Sequence, residues 1–203
     1  TESGERFQIP DMLANRADTY NLGDILSGNR GAFEKSYVEN ALTANSVTAP
    51  LVSRDDKDID KFIRMAAGEN IPLTEMSYDY ASVEANEIVE TLKKMIQIRD
   101  VVLRVNREYI DSAGKKDEYR TEPPFQLQGS YRNMNKMVEK LAPAMNAEEV
   151  EALIDDHYQN ESQTLTTGAE QNLLKLKELR GKLTDEEKQR WEEIKREFKR
   201  RKM

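Results

Sequence analysis

The sequence predicts an all-α, multi-helix bundle with a short extended segment near the N-terminus and further helices at the C-terminal end. Three observations carry that expectation. Apolar residues recur three and four positions apart along most of the chain, the spacing that gathers them on one helical face. Helix-start residues stand ahead of five of these runs, as Ser53, Ser130, Asn146, Thr167 and Thr184. Glycine and proline, at 9 and 6 of 203 residues, are too few for the turns of a β-sandwich or barrel.

The first 30 residues are mixed. Phe7 and Ile9 alternate before Pro10, which reads as a short extended segment, and Asp11 to Ala14 starts a helical turn. Asn21, Gly23, Ser27 and Gly28 punctuate the stretch after that turn. From Gly31 a helix places Phe33, Tyr37, Ala41 and Leu42 on one face, and Asn45 to Pro50 breaks it. Ser53 with Asp56 is expected to cap a helix carrying Ile59, Phe62, Ile63 and Met65, closed by Gly68. Asn70 to Tyr80, with Pro72, reads as a loop.

The longest helix is expected from about Ser82 to Ser112, where Ile88, Leu92, Met95, Ile98, Val102, Val105 and Tyr109 step by three and four. Gly114 and the charged run Lys115 to Glu118 end it, and Pro123-Pro124 forces extended backbone. Ser130 caps a helix to about Ala142 with Met134, Met137, Val138 and Leu141 inward. Asn146 with Glu149 opens the next, carrying Val150, Leu153, Ile154 and Tyr158. Thr167 with Glu170 opens a helix with Leu173, Leu176 and Leu179, and Thr184 with Glu187 one with Trp191, Ile194 and Phe198. The organisation expected is residues 1–30, a helical domain over 31–160, and a helical extension over 161–203.

Composition narrows the chemistry. The absence of cysteine removes disulfides, thiolate nucleophiles and cysteine-based zinc sites. A single histidine, His157, leaves no His-rich metal site, and its place on the shoulder of an apolar face reads as structural packing. No metal site is expected: the acidic run Asp55, Asp56, Asp58, Asp60 lacks the glycine and terminal glutamate of a calcium loop and reads as a solvated helix start. No apolar run approaches the ~20 residues of a membrane-spanning helix. The chain opens Thr1-Glu2-Ser3-Gly4 without a leader pattern and is expected to be a cytoplasmic fragment of a longer protein.

A net charge of −7 weighs against a nucleic-acid face over the whole molecule. The basic cluster Lys199 to Lys202 comes after the acidic start Asp185 to Glu187 of the same helix, the polarity its dipole favours. Gly28 to Ser36 resembles a phosphate-binding loop with its Lys35-Ser36, but Glu34 stands where the second glycine must be. Two arginines stand apart. Arg132 falls in the first turn of a helix, where the dipole disfavours a cation unless an anion joins it. Arg16 lies just after the extended segment, where a surface pair with Asp18 is the plain alternative.

The segments Ile9 to Asp24, Glu122 to Lys136, and Asp155 to Tyr158 with Leu165 to Glu170 resemble the C-terminal end of large bacterial AAA+ ATPases labelled "DNA repair ATPase", which are similar to MoxR-type ATPases. The resemblance spans nearly the whole chain. It implies that Thr1 lies just beyond the sensor-1 asparagine, with Walker A and Walker B upstream, and that residues 1–30 are the trailing end of the AAA+ core. Asn15-Arg16-Ala17 corresponds to the segment that supplies the arginine finger, with Asn15 in place of an acid and Ala17 in place of an aromatic. Gly129-Ser130-Tyr131-Arg132 resembles the segment that supplies the sensor-2 arginine, with Tyr131 in place of proline.

On that resemblance, Arg16 is the catalytic residue, and Arg132 with Ser130 and Gly129 contacts nucleotide. ATP and Mg2+ belong to the intact parent, and the fragment alone is expected neither to hold them tightly nor to hydrolyse ATP. The implied partners are the protein's own AAA+ core and neighbouring subunits of a ring. Two other functions stay open. One is a helical interaction module whose Leu173/Leu176/Leu179 or Trp191/Ile194/Phe198 stripe takes a partner helix. The other is DNA binding through the basic tail.

Overall fold

The computed structural model describes residues 26–202, all-α as expected, with no strand among the described residues. Its seven α-helices are, in chain order, α1 Leu26–Ala41, α2 Asp56–Ala66, α3 Ser82–Gly114, α4 Tyr131–Val138, α5 Ala147–Gln163, α6 Ala169–Arg180 and α7 Asp185–Arg200. The N-terminal extended segment, the turn from Asp11 and Arg16 lie outside the described residues.

The axis of the bundle is α3. Its stripe Ile88, Leu92, Met95, Ile98, Val102 and Val105 is fully buried, at about 1.5–3 kcal/mol of apolar burial per side chain. Around it pack α1, α2, α4, α5 and α6. They contribute Tyr37 and Val38, Phe62, Met134 and Met137, Ile154 and Tyr158, and Leu176 to one continuous core. Helix α1 starts at Leu26 and runs through Gly28 and Gly31, although both were expected to precede or open it. Its core-facing residues Tyr37, Val38 and Ala41 come late, so packing rather than local propensity holds it.

The capping boxes at Asn146/Glu149 and Thr184/Glu187 form as expected. Two expected caps move. Helix α2 is capped by Asp55, whose carboxylate accepts from Lys57 N at 2.9 Å, while Ser53 Oγ donates to Pro50 O. Helix α6 begins after Gly168, not Thr167. Gly168 is left-handed at φ 86°, a conformation that costs glycine little and threonine much. Its carbonyl accepts from both the backbone and side-chain N–H of Asn172.

Helix α4 is shorter than expected, ending at Val138 instead of about Ala142. Asn45 takes over its open end, donating through Nδ2 to the carbonyls of Val138 and Leu141 at 3.0 and 2.9 Å. The leucine stripe of α6 is also corrected. Leu174 and Leu176 are buried while Leu173 and Leu179 are partly so, because α6 lies between two partners. Leu176 enters the main core, and Leu174 meets Trp191 and Ile194 of α7 in a second, small core.

Between α3 and α4 the chain crosses the bundle as an extended strap, with Phe125, Leu127 and Gly129 buried and Gln126 and Gln128 exposed. No strand pairs with it, so its backbone bonds go to side chains from four helices. Ser112 Oγ of α3 accepts from Phe125 N at 2.8 Å, and Asn172 Oδ1 of α6 accepts from Gln126 N and Leu127 N. Tyr37 of α1 donates to Gly129 O at 3.0 Å and Tyr158 of α5 to Gln128 O at 3.4 Å. The strap delivers the chain to Ser130.

Candidate functional site

Ser130 caps α4 in a full capping box. Its Oγ accepts from Asn133 N at 3.3 Å, and its N–H donates to Asn133 Oδ1 at 3.2 Å. The Ser130 hydroxyl also donates to Asn133 Oδ1 at 2.6 Å. With two donors on that oxygen, the Asn133 amide has its nitrogen turned inward, 3.1 Å from His157 Nε2 on α5. His157 and Asn133 are both buried.

Aromatic packing fixes the opposite side of the same turn. The Tyr131 ring lies 4.4 Å from that of Tyr37, and its hydroxyl is hydrogen-bonded to Ser36 Oγ at 2.7 Å. Arg132, between these two anchors, is exposed. It forms no hydrogen bond or ion pair with the described residues. It lines an open groove of about 530 Å³ between α1 and α4, together with Asn40, Tyr131, Asn135 and Lys136. Asn135 donates to Asn40 Oδ1 at 3.1 Å, while its own Oδ1 is buried without a partner.

Lys136 reaches across to Glu161 on α5 at 2.9 Å. Burial pushes the Glu161 carboxyl up, but the Lys136 hydrogen bond and the charges of Lys136 and Arg132 more than offset it and hold it below its ordinary value. The groove therefore sets the cations Arg132 and Lys136 against two carboxylates, Glu139 on its lining and Glu161 paired to Lys136.

Gly129 and Ser130 have structural duties. A Cβ on Gly129 would collide with the Val102 carbonyl of α3 and come within 2.5 Å of Asn106 N, so the strap touches the α3 backbone there. Of the three residues grouped at this turn by sequence, only Arg132 is free to meet something outside the chain. Arg16 lies outside the described residues.

The loop-like run Gly28 to Ser36 lies within α1, and Glu34 is paired with Arg30 at 2.7 Å. A helix has no string of free amides along its length to cradle phosphate. Lys35 of that run reaches Asp60 at 2.8 Å.

The acidic run Asp55 to Asp60 divides. Asp55 is a cap, and Asp58 is fully buried rather than solvated. Among the described residues no three His, Asp or Glu side chains are grouped to hold a metal ion. His157 is packed, as expected: burial depresses its imidazole to about 4, with Lys136 and Lys140 lowering it further against Glu161.

Trp191 is 2% exposed, so the stripe it shares with Ile194 meets α6 and is not a face open to another helix. The basic residues Lys199 to Lys202 are exposed, and Lys202 donates to the Asp117 carbonyl.

Sequence reasoning did not find Asn133, Asn135 or Lys136. For Asn133 a signal existed: it stands three residues after Ser130, the reciprocal position of a capping box, but as asparagine in place of the usual glutamate or glutamine. No family model matches the chain, and no curated protein or solved structure matches it. No helix among the described residues is long and apolar enough to cross a membrane.

Proposed function

We propose that the chain is the helical lid region of an AAA+ ATPase, and that Arg132 contacts the γ-phosphate of ATP held by the core of the same subunit. The observation that carries this reading is the setting of Arg132: a guanidinium on the first turn of a capped helix, exposed, unpaired and held between two anchored neighbours. Amides at a helix start and a guanidinium fork both favour phosphate oxygens. A cation opposes the helix dipole at that end, and an anionic ligand would reverse the penalty.

ATP with Mg2+, bound by the Walker elements of the core, supplies the phosphoryl chemistry. The helical run around Lys35 offers no second cradle in this chain. Arg132 would sense charge on the terminal phosphate, and the α4 turn would carry that contact into the bundle. Arg16 would act in trans on the neighbouring subunit's nucleotide, as the resemblance implies.

The test is steady-state ATP hydrolysis by the intact protein, comparing wild type with Arg132→Ala, Arg132→Lys and Arg16→Ala. Arg132→Ala is expected to lower turnover by about tenfold or more, and Arg132→Lys to recover only part of it, because lysine lacks the fork. Arg16→Ala subunits mixed with wild type should depress the activity of the mixture. Normal turnover in Arg132→Ala defeats the sensor reading.

A further inference from the structure

We infer that His157, acting through Asn133, is a positioning residue for Arg132, and that it does so as the neutral imidazole protonated on Nδ1. This rests on the sensor reading of Arg132. It adds a residue on another helix, 25 positions away, that holds the arginine's turn in place.

Ser130 N–H and O–H both aim at one end of the Asn133 amide, 3.2 and 2.6 Å away, so that end is the carbonyl oxygen. The other end is therefore the NH2, which donates to His157 Nε2 at 3.1 Å. An accepting Nε2 has no proton, so the neutral ring carries its hydrogen on Nδ1. The chain Ser130, Asn133, His157 runs in one donor direction from the α4 cap into α5. Arg132 lies inside the loop this chain closes, between the capping serine and the propped asparagine.

Protonating Nε2 would set N–H against N–H. Asn133 would then have to turn, and turning presents its NH2 to the Ser130 N–H. The box cannot be kept with a charged His157 behind it. Burial, Lys136 on α4 and Lys140 just after α4 disfavour the charged ring, Glu161 on α5 favours it, and the Tyr158 ring packs against it edge-on at 5.0 Å. The structure thus keeps its one histidine neutral at the point where its charge would undo the cap.

Long-range proton–nitrogen NMR on the full chain reads the tautomer directly. The expected result is a protonated Nδ1 and a bare Nε2, and a protonated Nε2 at neutral pH overturns the inference. Asn133→Asp replaces the donor by a carboxylate and should raise the His157 titration midpoint by at least one pH unit, a shift that packing alone would not produce. An unchanged midpoint counts against the contact.

In the intact protein, His157→Leu removes the acceptor, and His157→Gln offers a side-chain oxygen in its place. The leucine variant should lower kcat for ATP at least about threefold with KM little changed, and the glutamine variant should recover most of it. In an Arg132→Ala background His157→Leu should cost nothing further. A full, independent loss there means that His157 does not work through Arg132. If Arg132→Ala itself turns over normally, the sensor reading falls; the tautomer and Asn133→Asp results then still test the contact, and the positioning claim is decided by NMR of His157→Leu. Displacement of the Arg132 Nε and Ser130 amide signals there, with α7 signals unmoved, supports it, and no displacement rejects it.

Discussion

Asp58 holds a loop 19 and 20 residues downstream by its two backbone N–H groups. One carboxylate oxygen accepts from Ser77 N at 2.8 Å and the other from Tyr78 N at 3.0 Å. The side chain is fully buried on α2. The pinned loop presents Tyr78, over whose ring the Arg54 guanidinium sits at 4.0 Å, while Arg54 is paired with Glu84 of α3 at 2.9 Å. A buried carboxylate is tolerated because each oxygen has a donor.

Asp58→Asn is expected to cost about 2–4 kcal/mol. One oxygen becomes an NH2 facing a backbone N–H, so a bond is exchanged for a repulsion. Urea unfolding of the chain measures the loss, and a midpoint unchanged from wild type would show that the loop does not depend on Asp58.

Gly129→Ala should be among the most damaging single-methyl additions in the chain. The new Cβ meets the backbone of α3, which cannot swing aside as a side chain can, so the strap must lift or α3 must bend. A cost of about 3 kcal/mol is expected for overpacking of this kind. Gly31→Ala is the control. Nothing lies within 4 Å of a Cβ there, and alanine inside α1 should stabilise by about 0.5–1 kcal/mol. Thermal melts of the two variants should move in opposite directions.

Stability should fall on acidification in two successive windows. The unfolded imidazole of His157 takes a proton below its ordinary 6.5, while the folded one resists to about 4, so the unfolded state binds more protons between those values. The loss is about 3 kcal/mol between pH 6.5 and 4, and none above. Glu151 acts in the second window. Burial raises its carboxyl, but Lys182, Gln97 and Arg180 lower it to about 2, so its contribution is complete above its ordinary 4.5 and is lost as pH falls towards 2. His157→Gln should flatten the first window and Glu151→Gln the second, as read by urea midpoints across pH.

Trp191→Ala should free α7 without melting the bundle. The tryptophan, Ile194 and Leu174 make the small core that joins α7 to α6. Truncation is expected to cost the hairpin about 3–5 kcal/mol. Hydrogen exchange should rise along α7 and stay unchanged at the centre of α3. Equal acceleration in both would mean that the chain unfolds as one unit.

The bundle was legible where one helix face meets one core. The α3 stripe shows in the unbroken three- and four-residue spacing of seven apolar residues, and the boxes at Asn146 and Thr184 show because both halves are local. Helix α6 misled, since a helix with partners on two sides buries Leu174 and Leu176, which no single stripe contains. Asp58 was hidden for another reason: its partners are backbone amides with no sequence signature, and a run of aspartates at a helix start looks solvated. At the candidate site, Arg132 stood out as a cation at the wrong helix end. Asn133 and His157 did not, because a hydrogen bond across 24 positions leaves no period to read.

The carboxyl end of α6 is tied down by charge. Arg180, 4% exposed on its side chain, pairs with both Glu151 and Asp155 of α5, and Lys182 reaches the same two carboxylates. Helix α7 joins the molecule just beyond that knot and packs chiefly on α6. Between α6 and α7 the small apolar core is flanked by the pairs Lys177–Glu187, Arg190–Glu170 and Lys195–Glu178, so tension applied at the carboxyl terminus arrives first at a mixed apolar and ionic contact and next at the Arg180 rivet. The α7 contact would peel first, and salt should soften both ruptures.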